Sequence, residues 1–292
     1  MTTQLYEPKE VYVGRDFGGF EFAIDATAVE NYIAGTGDDH PWYRGTSPLG
    51  RPVAPALIVH SAVFRTQAWY LPNIFGNLHA RQEWQGFAPI RLGDRLHSRS
   101  VIVDRYLKRD REYVVNECLL LNAAGQVMQR SRTHQSFLLE KGAGGFAVDR
   151  EREKSAARTF TTGAEGGEAI AAPPRTIGQA MCMAFSGPAL NYHTDRDAAR
   201  KLGFPAIVVQ GMFSVCLIAE MMTQRFGLGF IVGGRFDLRL VNVLWAEETT
   251  GAKGRIIARH PEGARTRAEV EVWSEKADGT KTIVGTASAI EF

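Results

Sequence analysis

The residues best suited to move a proton lie in a short segment, 187–193, that reads Gly-Pro-Ala-Leu-Asn-Tyr-His. The pKa of an imidazole lies near neutrality, so His193 is a candidate general acid or base, with a structural role near a helix start as the alternative. The side-chain amide of Asn191 can donate and accept hydrogen bonds and could hold a water, although a loop turn would use it equally well. Asp195 precedes an Arg-Asp-Ala-Ala run and is better suited to capping a helix than to chemistry.

A second segment, 37–43, supplies a carboxyl group and another imidazole. It reads Gly-Asp-Asp-His-Pro-Trp-Tyr, and its candidates for catalysis are Asp38 and His40. A solvated loop is the alternative for both residues, because Gly, Asp and Pro are all typical of turns.

The backbone of Gly211 is a third candidate for the site. Gln-Gly-Met at 210–212 opens an apolar run of helix length, so the N–H of Gly211 would point at a ligand bound at the helix N-terminus. This donor and the helix dipole could form an oxyanion hole that stabilises negative charge on a bound carbonyl. A glycine required only for close packing is the alternative.

The two segments belong to halves of the chain that repeat one pattern. In each half the segment is followed by Gly-x-Pro, then by an apolar run of helix length, and then by two strands joined at a turn. The apolar runs cover 54–70 and 210–226. Between the halves, a stretch rich in Gly, Ala, Glu and Arg lacks a sustained apolar period. We therefore predict two copies of one module, over 1–140 and 176–292, joined by a linker over 141–175.

The second apolar run and the strands after it indicate how a module is built. Apolar residues cover every face of the run, and a helix of this kind must be enclosed on most sides. The later strands alternate apolar and polar residues, as at Ala268, Val270 and Val272, so each strand buries one face. An antiparallel sheet wrapped around one central helix satisfies both demands. This α+β arrangement is the hotdog architecture, and two copies in one chain predict a double hotdog.

Composition narrows the classes of partner. The 34 basic and 32 acidic residues give a net charge of +2, so bulk electrostatics imply no nucleic-acid partner. No apolar stretch reaches membrane-spanning length, and the N-terminus does not have the form of a signal peptide. The three cysteines, Cys118, Cys182 and Cys216, each lie in an apolar run and indicate buried thiols in a reducing compartment. The seven histidines lack metal-ligand spacing, and Gly-Thr-Gly-Asp-Asp-His is not a dinucleotide-binding fingerprint. We expect a cytoplasmic protein that does not associate with a membrane and binds neither a metal nor a cofactor.

The region 191–212 resembles the signature of the MaoC-like (R)-specific enoyl-CoA hydratases and 3-hydroxyacyl dehydratases. Eight positions match that signature: His193, Asp195, Ala199, Gly203, Phe204, Ile207, Gly211 and Met212. The first half resembles the N-terminal half of the family's two-hotdog members in 35–43 and in the Gly-Arg-Pro-Val-Ala-Pro-Ala run that begins at Gly50. Pro89, Gly93 and Asp94 also resemble a strand entry of that family.

The family's catalytic stretch reads Gly-Asp-x-Asn-Pro-x-His, and its Asp and His together activate a water that adds to the enoyl double bond. In this chain the pair is split between the two copies. The second copy keeps His193 but has Pro188 at the Asp position, whereas the first keeps Asp38 but has Tyr43 at the His position. Neither copy contains the full dyad.

The resemblance implies a hydratase or dehydratase that acts on an acyl thioester, linked to CoA or to a carrier protein, in a pantetheine tunnel between the modules. It also implies a homodimer or higher oligomer of double hotdogs. One alternative is a protein of the same fold that binds thioesters or catalyses another step, such as thioester hydrolysis. The other is a non-catalytic subunit of a hetero-oligomeric hydratase.

Of the two copies, we expect the second to hold the site, with His193 as the sole acid–base residue and with Asn191 and the Gly211 N–H assisting. A pseudo-twofold relation would place the two turns at opposite ends of their interface, too far apart for a composite dyad of Asp38 and His193. The substitution His193→Ala should then abolish hydration, whereas Asp38→Ala should cost little.

Overall fold

The computed structural model describes residues 11–62, 78–108, 111–138, 158–163 and 166–292. Eleven strands of this part form one sheet, and every pairing in it is antiparallel.

Within the described residues, the first half contributes five strands, one α-helix and a short 3₁₀ helix. In chain order these elements are β1 (Glu21–Ala23), α1 (Ala26–Thr36), the 3₁₀ helix (Pro41–Tyr43), β2 (Leu78–Gly86), β3 (Arg95–Lys108), β4 (Arg111–Asn122) and β5 (Val127–Leu138).

The second half contributes six strands and four helices. They are β6 (Glu168–Ala171), β7 (Arg175–Thr176), α2 (Gln179–Ser186), α3 (Arg196–Lys201), α4 (Gly211–Phe226), α5 (Leu228–Ile231), β8 (Arg235–Leu240), β9 (Thr249–Glu262), β10 (Arg265–Lys276) and β11 (Lys281–Glu291).

The strand order shows the internal repeat directly. The order is β1-β3-β4-β5-β2 in the first half and continues as β8-β11-β10-β9-β6 in the second, with β7 paired to β9. From the central β2–β8 junction, the same sequence of strands therefore extends outward in both directions. At this junction Trp84 of β2 lies opposite Phe236 of β8, so the halves share one continuous sheet.

The helix α4 forms the centre of the second half. It covers 211–226, as the apolar pattern predicts, and 13 of its 16 residues are buried. The sheet wraps around it, since α4 contacts β6, β9, β10 and β11. This enclosure removes the apolar side chains of α4 from water and stabilises the module by about 25 cal/mol for each Å² of apolar area buried.

The corresponding run in the first half, 54–70, is described only as far as residue 62. Over 56–61 the chain forms successive turns, with i to i+3 hydrogen bonds such as that from the Ile58 N–H to the Pro55 carbonyl. The remainder of the expected helix, 63–70, lies outside the described residues.

The predicted linker, 141–175, contains structure at its C-terminal end. Residues 168–171 form β6 and pair with β9, and Arg175 opens β7. The composition of this stretch does not predict the two strands, because pairing with β9 stabilises them and their own β-propensity does not. The C-terminal end of the predicted linker therefore belongs to the sheet, which matters because Arg175 enters the site described below.

The helices that precede the two turns pack against each other across the halves. A Cβ on Gly35 of α1 would lie 2.9 Å from the Phe185 backbone of α2, so this close approach requires glycine. The three cysteines are buried and free, as predicted. None of the helices within the described ranges is long and apolar enough to cross a membrane.

Candidate active site

The turn of the first copy brings the side chains at the family's Asp and His positions into contact. The imidazole of His40 caps the 3₁₀ helix, because its Nδ1 accepts a hydrogen bond of 3.2 Å from the Trp42 N–H. This short helix carries the chain back on itself, and the Tyr43 hydroxyl donates to Asp38 Oδ2 at 2.8 Å. A carboxyl–phenol pair therefore occupies the place of the carboxyl–imidazole dyad.

The carboxyl group of Asp38 is buried rather than solvated. Asp38 and Tyr43 are each 2% exposed. Burial, together with the nearby charge of Glu220, raises the pKa of Asp38 to about 7, although the hydrogen bond from Tyr43 and the charge of Arg175 oppose the shift. The solvated-loop interpretation of Asp38 is therefore wrong. Its carboxyl is close to half-protonated at neutral pH, which suits a group that gains and loses a proton.

The structure adds Glu220, a carboxyl group that was not among the residues singled out from the sequence. Glu220 lies on α4 and is 4% exposed. Burial raises its pKa, and the opposing charge of Arg175 limits the shift. A single acidic residue within a helix that is otherwise apolar on every face is the sequence signal that could have identified it, because an unpaired buried carboxylate is costly.

The guanidinium of Arg175 connects the two halves at this point. Its Nη2 donates to Glu220 Oε1 at 2.7 Å, and its Nη1 donates to the Thr36 carbonyl. The Thr36 hydroxyl in turn accepts a hydrogen bond of 3.1 Å from the Asp38 N–H. Arg175, from the predicted linker, thus holds the carboxyl group of the second half beside the turn of the first.

A cavity of about 730 Å³ opens at this cluster and takes its walls from both halves. Its lining residues are Gly37, Asp39, His40 and Pro41 from the first half and Pro173, Arg175, Met181, Glu220 and Gln224 from the second. Asp38 is not a lining residue, but both of its chain neighbours, Gly37 and Asp39, line the cavity. The volume is within the range of small-molecule sites, and the lining includes the charged groups of Asp39, Arg175 and Glu220.

The turn of the second copy places His193 in a different environment. Its Nδ1 lies 2.7 Å from the Val208 carbonyl oxygen and must carry the proton, because a carbonyl can only accept. Burial lowers the pKa of His193, so the neutral ring keeps its lone pair on Nε2. This tautomer is compatible with a general base, and the role proposed for His193 stays a prediction.

The polar groups around His193 serve the local turn. Asn191 accepts a hydrogen bond of 2.8 Å from the His193 N–H, and its Nδ2 donates to the Ala189 carbonyl at 3.2 Å. This is the loop-turn alternative for Asn191. Asp195 caps α3 by accepting from the Ala198 N–H at 2.8 Å, as predicted.

Gly211 is the first residue of α4, as the sequence predicts. A Cβ there would lie 2.4 Å from Leu240 Cδ2 and 3.6 Å from His79 Nδ1. This contact favours the close-packing alternative, and the oxyanion role of the Gly211 N–H stays a prediction.

The two turns do not form a composite site within the described residues. Asp38 interacts with Tyr43, Glu220 and Arg175, whereas His193 interacts with the Val208 carbonyl, and the two groups share no interaction partner.

The raised pKa of Asp38 predicts a specific pH dependence of stability. The folded state holds this proton from pH 3.8, the ordinary value, up to about pH 7, whereas the unfolded state has released it. As the pH rises through this window, the free energy of unfolding of the wild type relative to the Asp38→Asn variant should therefore fall by roughly 1 kcal/mol for each pH unit. Urea unfolding of both proteins between pH 4 and pH 8 measures the difference, and equal slopes would contradict it.

Comparison with known proteins supports the architecture. No protein-family model and no curated protein sequence matches the chain. Among solved structures, a MaoC-like dehydratase superposes with a TM-score of 0.73 at 16% identity, covering 97% of this chain and 99% of that one. A MaoC-like dehydratase from Phytophthora capsici gives 0.70 at 12% identity and covers 98% of both chains. A Mycobacterium tuberculosis protein described as a double hotdog gives 0.64 at 10% identity, covering 99% of this chain and 98% of that one. The chain therefore has the double-hotdog fold, and over nearly its whole length it is similar in structure to MaoC-like dehydratases.

Proposed function

We propose that this protein is a hydratase or dehydratase for an enoyl or 3-hydroxyacyl thioester, and that Asp38 is a proton-transfer group of its site. The observation that carries the proposal is the buried Asp38 carboxyl, which the Tyr43 hydroxyl orients at 2.8 Å beside a cavity shared by the two halves. The similarity to MaoC-like dehydratases adds support at the level of the fold.

Hydration of an enoyl thioester requires two proton movements. A base takes a proton from water as the oxygen bonds to C3, and an acid delivers a proton to C2, where the electrons of the double bond have moved. A carboxyl with a pKa near 7 can take either part, directly or through one bridging water, and dehydration uses the same steps in reverse. The Tyr43 hydroxyl fixes the orientation of this carboxyl by donating to one of its oxygens.

The proposal places the reaction at the first copy, whereas the sequence favours His193 in the second. Asp38 is the better supported residue, because its carboxyl accepts from Tyr43 and its pKa responds to the charges of Glu220 on α4 and Arg175 on β7, all of them within the described residues. The turn around His193 satisfies its own polar groups, and His193 Nε2 is the group that an alternative site would use.

The deciding experiment is turnover by the wild-type protein. The purified chain is incubated with crotonyl-CoA and with longer trans-2-enoyl-CoAs, and loss of the conjugated enoyl absorbance is followed together with the product mass. We expect addition of one water and no release of free CoA thiol. Release of thiol without hydration would instead support the thioesterase alternative. Neither reaction, together with co-purification of a second hotdog chain, would support the non-catalytic subunit.

A further inference from the structure

We infer that Glu220 supplies the second proton-transfer group of the Asp38 site, in place of the histidine position that Tyr43 occupies. This inference rests on the proposed function. It assigns the second proton-transfer group, which the first half lacks, to the second half of the chain. It predicts a two-carboxyl site assembled across the two modules.

The position of the Glu220 carboxyl carries this assignment. Its Oε1 accepts from Arg175 at 2.7 Å and from Gln224 at 3.2 Å. Its Oε2 is fully buried and has no hydrogen-bond partner among the described residues, although Glu220 lines the cavity. A buried carboxylate oxygen without a partner is costly, and a water or hydroxyl donor bound in the cavity would satisfy it. This unsatisfied oxygen is therefore the acceptor that we assign to the reacting water.

The Tyr43 hydroxyl cannot take the place of that second group as a base. It is buried and already donates to Asp38, and both burial and the adjacent carboxyl charges raise its pKa well above the ordinary value. A phenol in this state keeps its proton at neutral pH, so it can orient Asp38 but cannot accept a proton from water. A site with Asp38 alone would lack one of the two groups that hydration requires.

The charges around the two carboxyl groups indicate which one is the base. Arg175, on β7, pairs with Glu220 and favours its carboxylate form. Asp38 faces Tyr43 on its own turn and the Glu220 charge on α4, and its pKa near 7 leaves much of it protonated. The other titratable groups near the pair include Tyr32 on α1 and Cys216 on α4, which burial keeps neutral. Asp39 and His40 also line the cavity, and burial lowers the pKa of His40.

In the hydration direction, Glu220 Oε2 takes a proton from the bound water as the water oxygen bonds to C3. The electrons of the C2–C3 double bond form the new bond from C2 to the proton that Asp38 gives up. Glu220 is then protonated and Asp38 ionised, and one proton passes from Glu220 to Asp38, through the cavity water, to restore the starting state. The reaction balances with water and the enoyl thioester alone.

The test compares Glu220→Gln with Glu117→Gln, a matched control. Glu117 also pairs with an arginine, Arg132 at 2.8 Å, but it lies on β4 next to the inward-facing Cys118 and therefore on the outer face of the sheet. We expect Glu220→Gln to lower kcat for hydration by about 100- to 10,000-fold, the usual contribution of a general acid or base. The control should retain wild-type kcat.

The pH profile separates a chemical role from a structural one. Wild-type kcat should follow a bell-shaped profile, whose acidic limb reports ionisation of Glu220 and whose basic limb reports deprotonation of Asp38. In Glu220→Gln the acidic limb should disappear, and the basic limb should move to lower pH, because loss of the Glu220 charge lowers the pKa of Asp38. A folded variant with wild-type kcat and both limbs would overturn the assignment.

Two further outcomes remain decisive. If Glu220→Gln does not fold, Glu220→Asp keeps a charge opposite Arg175 but withdraws the carboxylate by one methylene, so it should fold with reduced kcat. A wild-type kcat in Glu220→Asp would then reject the role. If the wild-type protein hydrates no enoyl thioester, the proposed function itself fails, whereas an active wild type with an active Glu220→Gln rejects the role of Glu220 alone.

Discussion

The substitution Asp38→Asn should reduce kcat for enoyl-thioester hydration by about 100- to 10,000-fold and leave the chain folded. Asparagine keeps the shape of the side chain and an oxygen that can accept from the Tyr43 hydroxyl, but it cannot carry the proton. Removing a carboxyl that is 2% exposed should also stabilise the fold at high pH, so loss of structure would not account for loss of turnover.

His193→Gln, measured beside Asp38→Asn, decides between the two turns. Glutamine retains a polar side chain at the second turn but removes the titratable ring, and we expect a small effect on kcat. Collapse of His193→Gln with an active Asp38→Asn would return the site to the second copy, where the sequence favours it. Equal collapse of two folded variants would show that the site needs both turns. Circular dichroism and thermal unfolding of each variant confirm that it is folded.

Trp84→Ala should lower the free energy of unfolding by about 3–5 kcal/mol, the usual cost of removing a buried aromatic ring. Trp84 belongs to the first half and is 3% exposed. Its ring contacts two aromatic rings of the second half, Phe230 at a centroid distance of 5.1 Å and Phe236 at 5.4 Å. The loss should therefore weaken both halves together, in a single unfolding transition.

Urea unfolding followed by circular dichroism measures this effect, and Phe87→Ala is the control. Phe87 follows the same strand but is 43% exposed, so its loss should change the free energy of unfolding by less than about 0.5 kcal/mol. Two separate transitions, or a loss for Trp84→Ala no larger than that of the control, would show that the modules do not share a core at this junction.

The sequence predicted those features of the fold that depend on local pattern. The helix α4 follows from an apolar run, and the strands of the second half follow from alternation, because burial of one face leaves a period that can be read from a single segment. The sequence pattern does not predict β6 and β7, because they are short and are stabilised by pairing with β9, a partner distant in sequence.

The candidate site was predicted less completely, for a related reason. The sequence identifies the segment 37–43, but the pKa of Asp38 depends on the charges of Glu220 on α4 and of Arg175, and no local pattern reports interactions of that sequence separation. The surrounding groups therefore determine the pKa of Asp38, whereas the sequence alone shows only a carboxyl group in a turn. Glu220 was not predicted because the apolar pattern of its helix indicates a packing role, and a single acidic residue does not change that pattern.

The crossing of the halves at the cavity has a consequence for how such a chain diverges after gene duplication. Because the cavity pairs the turn of the first module with the central helix of the second, the second copy contributes to the cavity of its neighbour. The second copy has Pro188 in place of an acid in its own turn, yet its helix supplies Glu220 to the cavity at the first turn. A module whose own turn lacks the catalytic residues can thus still be required for the site of its neighbour. Separating the two modules into independent chains would remove one wall of the cavity that they form together.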